Sequence, residues 1–444
     1  MRRLIQAAAV TAAFGIVLGQ TPFALAAHDK GEWWFNSWHI EEQVWPQTKG
    51  AGITVAVLDT GVNASLPGLK DAVVPGTDFA GGDGRRDQDT DSSTGGHGTA
   101  MASFIASSGK GTGYMGVAPS AKILPIFTRG NVPKEMAEAI RYGADHGAKV
   151  MNISQGPVAS SFPNQCPPEV ASALAYAAKK DMVVVASAGN EGDSTNSPEY
   201  PASCPGALAV GAIDHTGKPW ARSQRQDYVT VAAPGAGMTA VGKDGRLYDN
   251  GNGTSDAAAL TSGAIALLRS KYPDMTARRA VQVIVGSVKD LDGPGKNNVT
   301  GYGVVSVRQA LANKVPESAP NPVYEKLDKA GAAAPKGSGS TGTAPEKTDD
   351  KKSSSNTLLY VGIGVVVIAV LVIGGVVVMR RGKGKNGGGP SAPPPAPTGP
   401  PSFGQGQPQQ SPYQGGQQPP AGYGQPGNGA PQFQPPTSGQ EPRQ

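Results

Sequence analysis

The chain predicts an α/β domain: a mainly parallel sheet with helices packed on both of its faces. Short continuous apolar runs of strand length alternate, along residues 53–286, with segments whose apolar residues recur at helical spacing. Unbroken apolar runs suit strands buried on both faces, as in a parallel sheet covered by helices. A further observation places a site. Asp59, Ser154 and Asn190 each follow a strand-like run. All three therefore fall on the carboxyl edge of the sheet, where such folds bind ligands.

Residues 1–26 read as a secretory signal peptide. Arg2 and Arg3 open it, Leu4 to Leu18 is largely apolar, and Ala24-Leu25-Ala26 is a small-residue cleavage signal. The apolar run is short for a membrane span, so the mature chain is expected to begin at Ala27. Residues 27–50 carry Trp33, Trp34, Phe35, Trp38 and Trp45. They read as an extension that packs its rings onto the main domain. A strand at Ile53–Val57 follows. Asp83, Asp87, Asp89 and Asp91 then crowd the loop before His97. Carboxylates so spaced suit calcium. Their spacing is not that of an EF-hand loop, however, and Arg85 and Arg86 intrude. The loop reads as acidic and solvated, and no metal is assigned.

Ala121–Phe127, Val150–Ile153, Met182–Ala186, Ala207–Ile213 and Val229–Ala233 read as strands. Glu135–His146, Val170–Lys180, Ser255–Lys271 and Thr276–Gly286 read as helices. From Lys314 the composition changes to Ala, Pro, Gly, Ser and mixed charges, so residues 314–357 read as a flexible linker. Leu358–Met379 is free of charge over 22 residues, long enough to span a bilayer as a single C-terminal transmembrane helix. Arg380, Arg381, Lys383 and Lys385 follow at once, which puts the C-terminus in the cytoplasm and the main domain outside. Residues 380–444 are low-complexity, rich in Pro, Gly and Gln, and read as a disordered cytoplasmic tail.

The formal charge of +5 comes from the flanks; residues 27–313 alone carry −2. The folded part therefore gives no support to nucleic-acid binding. The chain has two cysteines, Cys166 and Cys204. In a cytosolic protein they would be two buried thiols; in an exported one a single bridge is the better reading. Such a bridge would tie two loops near the expected site.

Three stretches carry chemistry. In Asn252-Gly253-Thr254-Ser255-Asp256 a serine opens a long helix after a glycine turn. That places it in the positive field of the helix N-terminus, which suits a nucleophile beside developing negative charge. On that stretch alone an N-cap is the simpler reading. Two other stretches reverse it. Val57-Leu58-Asp59-Thr60-Gly61 ends a buried strand in an aspartate, and Gly96-His97-Gly98-Thr99 puts a histidine at the mouth of an apolar helix. Alone, these are a turn former and a capping histidine. Together, Asp, His and Ser fit an orienter, a base and a nucleophile.

Those three blocks resemble the signatures of the subtilisin-like serine proteases, over roughly residues 45–313. The resemblance implies a three-layer subtilisin-like fold. It makes Ser255 the nucleophile, His97 the general base and then acid, and Asp59 the group that holds the imidazole tautomer. Ala188-Gly189-Asn190-Glu191-Gly192 resembles that family's oxyanion segment, with Asn190 as donor; as bare sequence it is also a common asparagine turn. Met151-Asn152-Ile153-Ser154-Gln155-Gly156 resembles one wall of the specificity pocket. Extended backbone at Ser154 and Gly156 would pair with a peptide as an added strand, or simply leave the sheet. Asp256 stands where many relatives carry an apolar residue, and Ala259 where many carry proline. Residues 27–50 are too short for the separate folding prodomain of many members.

Signal peptide, peptidase domain (27–313), linker and single anchor together resemble the mycosins, membrane-anchored subtilases of type VII secretion in Gram-positive bacteria. The resemblance implies an extracytoplasmic endopeptidase that acts on protein or peptide substrates, with the secretion machinery as partner. The chemistry needs no cofactor. A rival expectation is a tethered scaffold of the secretion complex, in which proteolysis is secondary.

Overall fold

The computed structural model describes residues 30–81, 88–291, 293 and 295–333. The expected signal peptide, membrane span and tail lie outside the described residues. No helix among the described residues is long and apolar enough to cross a membrane.

Seven strands form one sheet: β1 (Thr54–Asp59), β2 (Thr77–Asp78), β3 (Lys122–Phe127), β4 (Val150–Ile153), β5 (Val183–Ser187), β6 (Ala207–Ile213) and β7 (Val231–Pro234). Their spatial order is β2-β3-β1-β4-β5-β6-β7, and every pairing is parallel. The chain builds outward from β1 in one direction and then in the other, so β1 lies between β3 and β4. Order reverses there, and this is the point at which an open parallel sheet leaves a crevice above its carboxyl edge.

The helices are α1 (Trp34–Trp38), α2 (His97–Ala106), α3 (Pro133–Asp145), α4 (Pro168–Lys179), α5 (Thr254–Lys271), α6 (Ala277–Gly286), α7 (Val307–Ala312) and α8 (Pro322–Ala333). Alternation along β1 sorts them into two layers. Val55 and Val57 join the core shared with α1, α2, α5, α6 and α7. Ala56 and Leu58 join the opposite core, shared with α3 and α4. Thr254 to Arg269 of α5 are buried all round. A helix without a polar stripe belongs in the middle of a layer, and α5 crosses the back of β4 to β7.

The aromatic N-terminal segment is part of the larger core. Trp34, Phe35 and Trp38 are buried, and Phe35 meets Trp45 edge to face at 5.4 Å. Trp33 Nε1 donates to Ala236 O at 3.2 Å and Trp45 Nε1 to Val117 O at 3.0 Å. Each ring thus buries its apolar body, worth on the order of 2–3 kcal/mol, while the indole N–H groups of Trp33 and Trp45 find backbone acceptors.

Two features differ from the sequence reading. The segment expected to be a flexible linker from Lys314 includes α8. Val323 and Tyr324 of α8 are buried, and Arg278 grips Asp328 at 2.6 Å while its guanidinium sits over the Tyr324 ring. Two apolar anchors among alanines and charges suffice to dock it, and composition averages them away. The second feature is an antiparallel hairpin of β8 (Ala236–Val241) and β9 (Leu247–Asn252). It delivers the chain to Gly253 and Ser255. Its turn leans on the loop before His97: Lys243 N donates to Gly95 O at 2.8 Å, and Asn63 Nδ2 donates to Lys243 O at 2.7 Å.

Cys166 and Cys204 form a disulfide, with Cα atoms 5.1 Å apart. The bridge closes a pair of loops that also run antiparallel: Ala159 N donates to Pro198 O at 2.7 Å and Tyr200 N to Pro157 O at 3.1 Å.

Candidate active site

Asp59 is the last residue of β1 and His97 the first of α2. The two elements come together because glycines let them. Gly61 has φ +96°, open to glycine and costly to other residues. A methyl group on Gly98 would stand 2.1 Å from Gly61 O, so only a bare Cα allows α2 to approach. At this approach His97 Nδ1 donates to Asp59 Oδ1 at 2.8 Å. Asp59 is wholly buried, and its Oδ1 also accepts from Thr60 N at 2.8 Å. The His97 side chain keeps 27% of its surface exposed.

Threonines fasten the two motifs to each other. Thr60 Oγ1 donates to Asp89 Oδ1 at 2.9 Å and accepts from Gly98 N at 3.0 Å. Thr99 donates its N–H and Oγ1 to Asp89 Oδ2 at 2.8 and 2.7 Å. Asp91 accepts from His97 N at 3.1 Å and so holds the free N-terminus of α2. The acidic loop is therefore more than solvated charge. Asp89 is buried at its centre, and Asp91 is a helix cap set in its own turn with Ser93 and Thr94. An Asp followed by Ser-Ser-Thr is an Asx-turn signal, and it was legible. Asp83 and Asp87 lie outside the described residues.

Ser255 sits in the first turn of α5 and is buried. Its Oγ donates to Ser154 O at 3.2 Å, and Ser154 Oγ donates back to Ser255 O at 3.1 Å. Among the described residues no hydrogen bond joins Ser255 Oγ to His97. Ser154 is held in turn by Asn152 Nδ2 at 2.9 Å, and Asn152 Oδ1 accepts from Ser262 Oγ at 3.2 Å. A line of polar groups thus runs from about two turns further along α5, through β4, to the carbonyl of Ser255. Asn152 had no role in the sequence reading; a buried polar residue in mid-strand was its only signal.

Asn190 follows β5 and lies against the same helix start. Its Oδ1 accepts from Thr254 N and Thr254 Oγ1, both at 2.9 Å, while Gly189 N donates to Thr254 Oγ1 at 3.0 Å. With Oδ1 so committed, the amide Nδ2 is the free end of the side chain. Gly156 lies two residues beyond Ser154, partly exposed. The structure thus brings Asp59, His97, Ser255, Asn190, Ser154 and Gly156 to one edge of the sheet. Cys166 and Cys204 stand apart, at the base of the loop pair.

Charge is concentrated here. Burial alone would hold the His97 imidazolium down. Asp59 beside it outweighs that, with further attraction from Asp256 and Asp89, and carries its pKa up to about 9. Asp256, buried on the next position of α5, moves the other way from most carboxyls. Burial pushes it up to about 7, against the pull of His97. The arrangement can hold an imidazole in one tautomer, take a proton beside a serine at a helix start, and present an amide to an oxyanion.

Comparison with known proteins bears on the same residues. The family model of the Peptidase_S8 subtilases matches residues 50–303, more than half of the chain. The chain belongs to the subtilase family. That is a family of serine endopeptidases, and this subtilase resembles the mycosins within it. It is 32% identical over 320 residues to mycosin-1 of Mycobacterium tuberculosis, covering 60% of this chain and 70% of that one. It is 35% identical over 327 residues to fervidolysin of Fervidobacterium pennivorans, covering 65% of this chain. The match spans 46% of fervidolysin, about half its length. Among solved structures, the MycP3 protease of the type VII (ESX-3) secretion system superposes with a TM-score of 0.56 at 32% identity, over 65% of this chain and 90% of that one.

Proposed function

We propose that this subtilase is a membrane-anchored, extracytoplasmic serine endopeptidase of a type VII secretion system. The observation that carries the chemistry is the Asp59–His97 contact at 2.8 Å, set on the same sheet edge as Ser255. In this reading Ser255 Oγ turns from the Ser154 carbonyl toward the peptide. His97 takes its proton as base, and Asp59 holds the tautomer. Asn190 Nδ2 and the Ser255 N–H at the start of α5 stabilise the tetrahedral oxygen. His97 then protonates the leaving amine, and water resolves the acyl-enzyme. The peptide lies along Ser154–Gly156 as an added strand.

The location rests on sequence and likeness. The charge-free run 358–379 with its basic flank supports a single span with the C-terminus inside. Likeness to mycosin-1 and to the ESX-3 protease supports the secretion-system setting. The test is labelling of the full-length chain with a fluorophosphonate, beside Ser255→Ala. The native chain should label and the variant should not. A folded native chain that stays unlabelled would move the molecule to the scaffold role.

A further inference from the structure

Glu199 lies in the loop between β5 and β6, and its carboxylate reaches the edge of the site. It stands between two glycines. A methyl group on Gly156 would lie 2.5 Å from Glu199 Oε2, and one on Gly189 would lie 2.7 Å from Oε1. Gly156 continues the segment whose Ser154 bonds Ser255 both ways, and Gly189 precedes Asn190. The carboxylate therefore occupies the slot between the two backbone segments that flank the nucleophile. Gly156, Asn190 and Glu199 are each partly exposed, so the slot meets solvent.

No cation among the described residues balances this charge. Among the described residues the one side-chain hydrogen bond to the carboxylate is a long one, from Gln224 Nε2 at 3.5 Å. Burial pushes the carboxyl up to about 7, against the Gln224 contact, and the neighbouring Glu191 adds to the rise. Gln224 is itself wholly buried against Gly189, and among the described residues its Oε1 has no donor. A half-buried carboxylate and a buried amide oxygen, side by side and short of donors, are costly unless something supplies them. An ammonium brings three donors and a guanidinium five.

We propose that Glu199 is the specificity determinant of this pocket and selects lysine or arginine on the acyl side of the scissile bond. The proposal rests on the serine-peptidase reading above. A peptide paired along Ser154–Gly156, with its reacting carbonyl at Ser255 and Asn190, turns the side chain of that carbonyl's residue between the 154–156 and 188–190 segments. There it meets Glu199. The floor is held from behind by chain pairing: Tyr200 N bonds Pro157 O, and the Cys166–Cys204 bridge closes the same two loops.

The test uses the full-length protein in detergent, with fluorogenic peptides that differ only in the acyl-side residue: Lys, Arg, Ala, Leu, Phe and Glu. Lys or Arg should lead in kcat/KM, and Glu199→Gln should lower those two by about ten- to a hundredfold while sparing Leu and Ala. A native ranking led by Ala, Leu or Phe overturns the proposal, Ala in particular showing that Glu199 merely fills the slot. An unchanged ranking in Glu199→Gln overturns it too. If that variant does not accumulate, the native ranking decides by itself. Fluorophosphonate labelling separates the two levels: a labelled native enzyme without basic preference sinks only this proposal, and an unlabelled one sinks the peptidase reading with it.

Discussion

At His97, burial favours the neutral imidazole, while Asp59 above all, with Asp256 and Asp89, favours the protonated one. A base must give that proton up first. Its pKa is raised to about 9, so the reactive fraction grows as pH climbs toward and through that value. We expect kcat/KM to rise along one ionisation near pH 9, and a pH profile of peptide hydrolysis checks it. Asp256→Asn removes one of the attractions that hold the proton. The midpoint should therefore move down, and activity at pH 7.5 should rise relative to the plateau. The opposite shift would mean that Asp256 does not face the imidazole. Asn190 gives a second expectation. If the Asn190 amide acts on the developing oxyanion as proposed, Asn190→Ala should lower kcat about a hundred- to thousandfold with a small change in KM. Steady-state kinetics read it directly.

At the scale of elements, three threonines do the joining. Thr60 and Thr99 meet on Asp89, and Thr254 meets Asn190. Asp59, His97 and Ser255 thus each lie within two residues of a threonine that ties its own segment to another. Asp89→Ala leaves two hydroxyls and two N–H groups short of an acceptor. It should cost about 2–4 kcal/mol in denaturant unfolding and slow acylation, because α2 would no longer be pinned to β1. Much of this was legible. The alternation of apolar runs placed β1, β3, β4, β5 and β6 to within a residue or two, since buried parallel strands announce themselves by composition. The three motifs that hold Asp59, His97 and Ser255 were legible because their glycines and threonines recur at fixed offsets. The hairpin β8–β9 was missed: its β9 is largely exposed and lacks the apolar pattern, although Asp244-Gly245 marked its turn. Asp89 was missed for a different reason. Four aspartates in one loop look alike in sequence, and only the fold decides which one turns inward.

At the scale of the whole molecule, the first and last described segments both pack onto the peptidase domain. The N-terminal rings enter the core of α2 and α5, and α8 docks on α6. Trp34→Ala should destabilise the domain by about 3–5 kcal/mol, measured by thermal or denaturant unfolding. Processing should therefore stop short of Lys30, a result that N-terminal sequencing of the mature chain would read. A cut after Trp45 that left a fully active domain would show the rings to be dispensable. Folded structure continues through α8 to Ala333, some twenty residues beyond the point where composition alone starts a linker. The loop pair closed by Cys166 and Cys204 adds a matter of timing. Thiols stay apart in a reducing cytoplasm and join after export. If the chain is exported as proposed, it is made with this loop pair unfastened, and the oxidising environment it enters closes the bridge beside the proposed pocket. Chains retained inside the cell should be alkylated at both thiols and cleave test peptides with blurred selectivity. The compartment would then act as the last assembly factor of the enzyme, sparing the cytoplasm a fully discriminating protease.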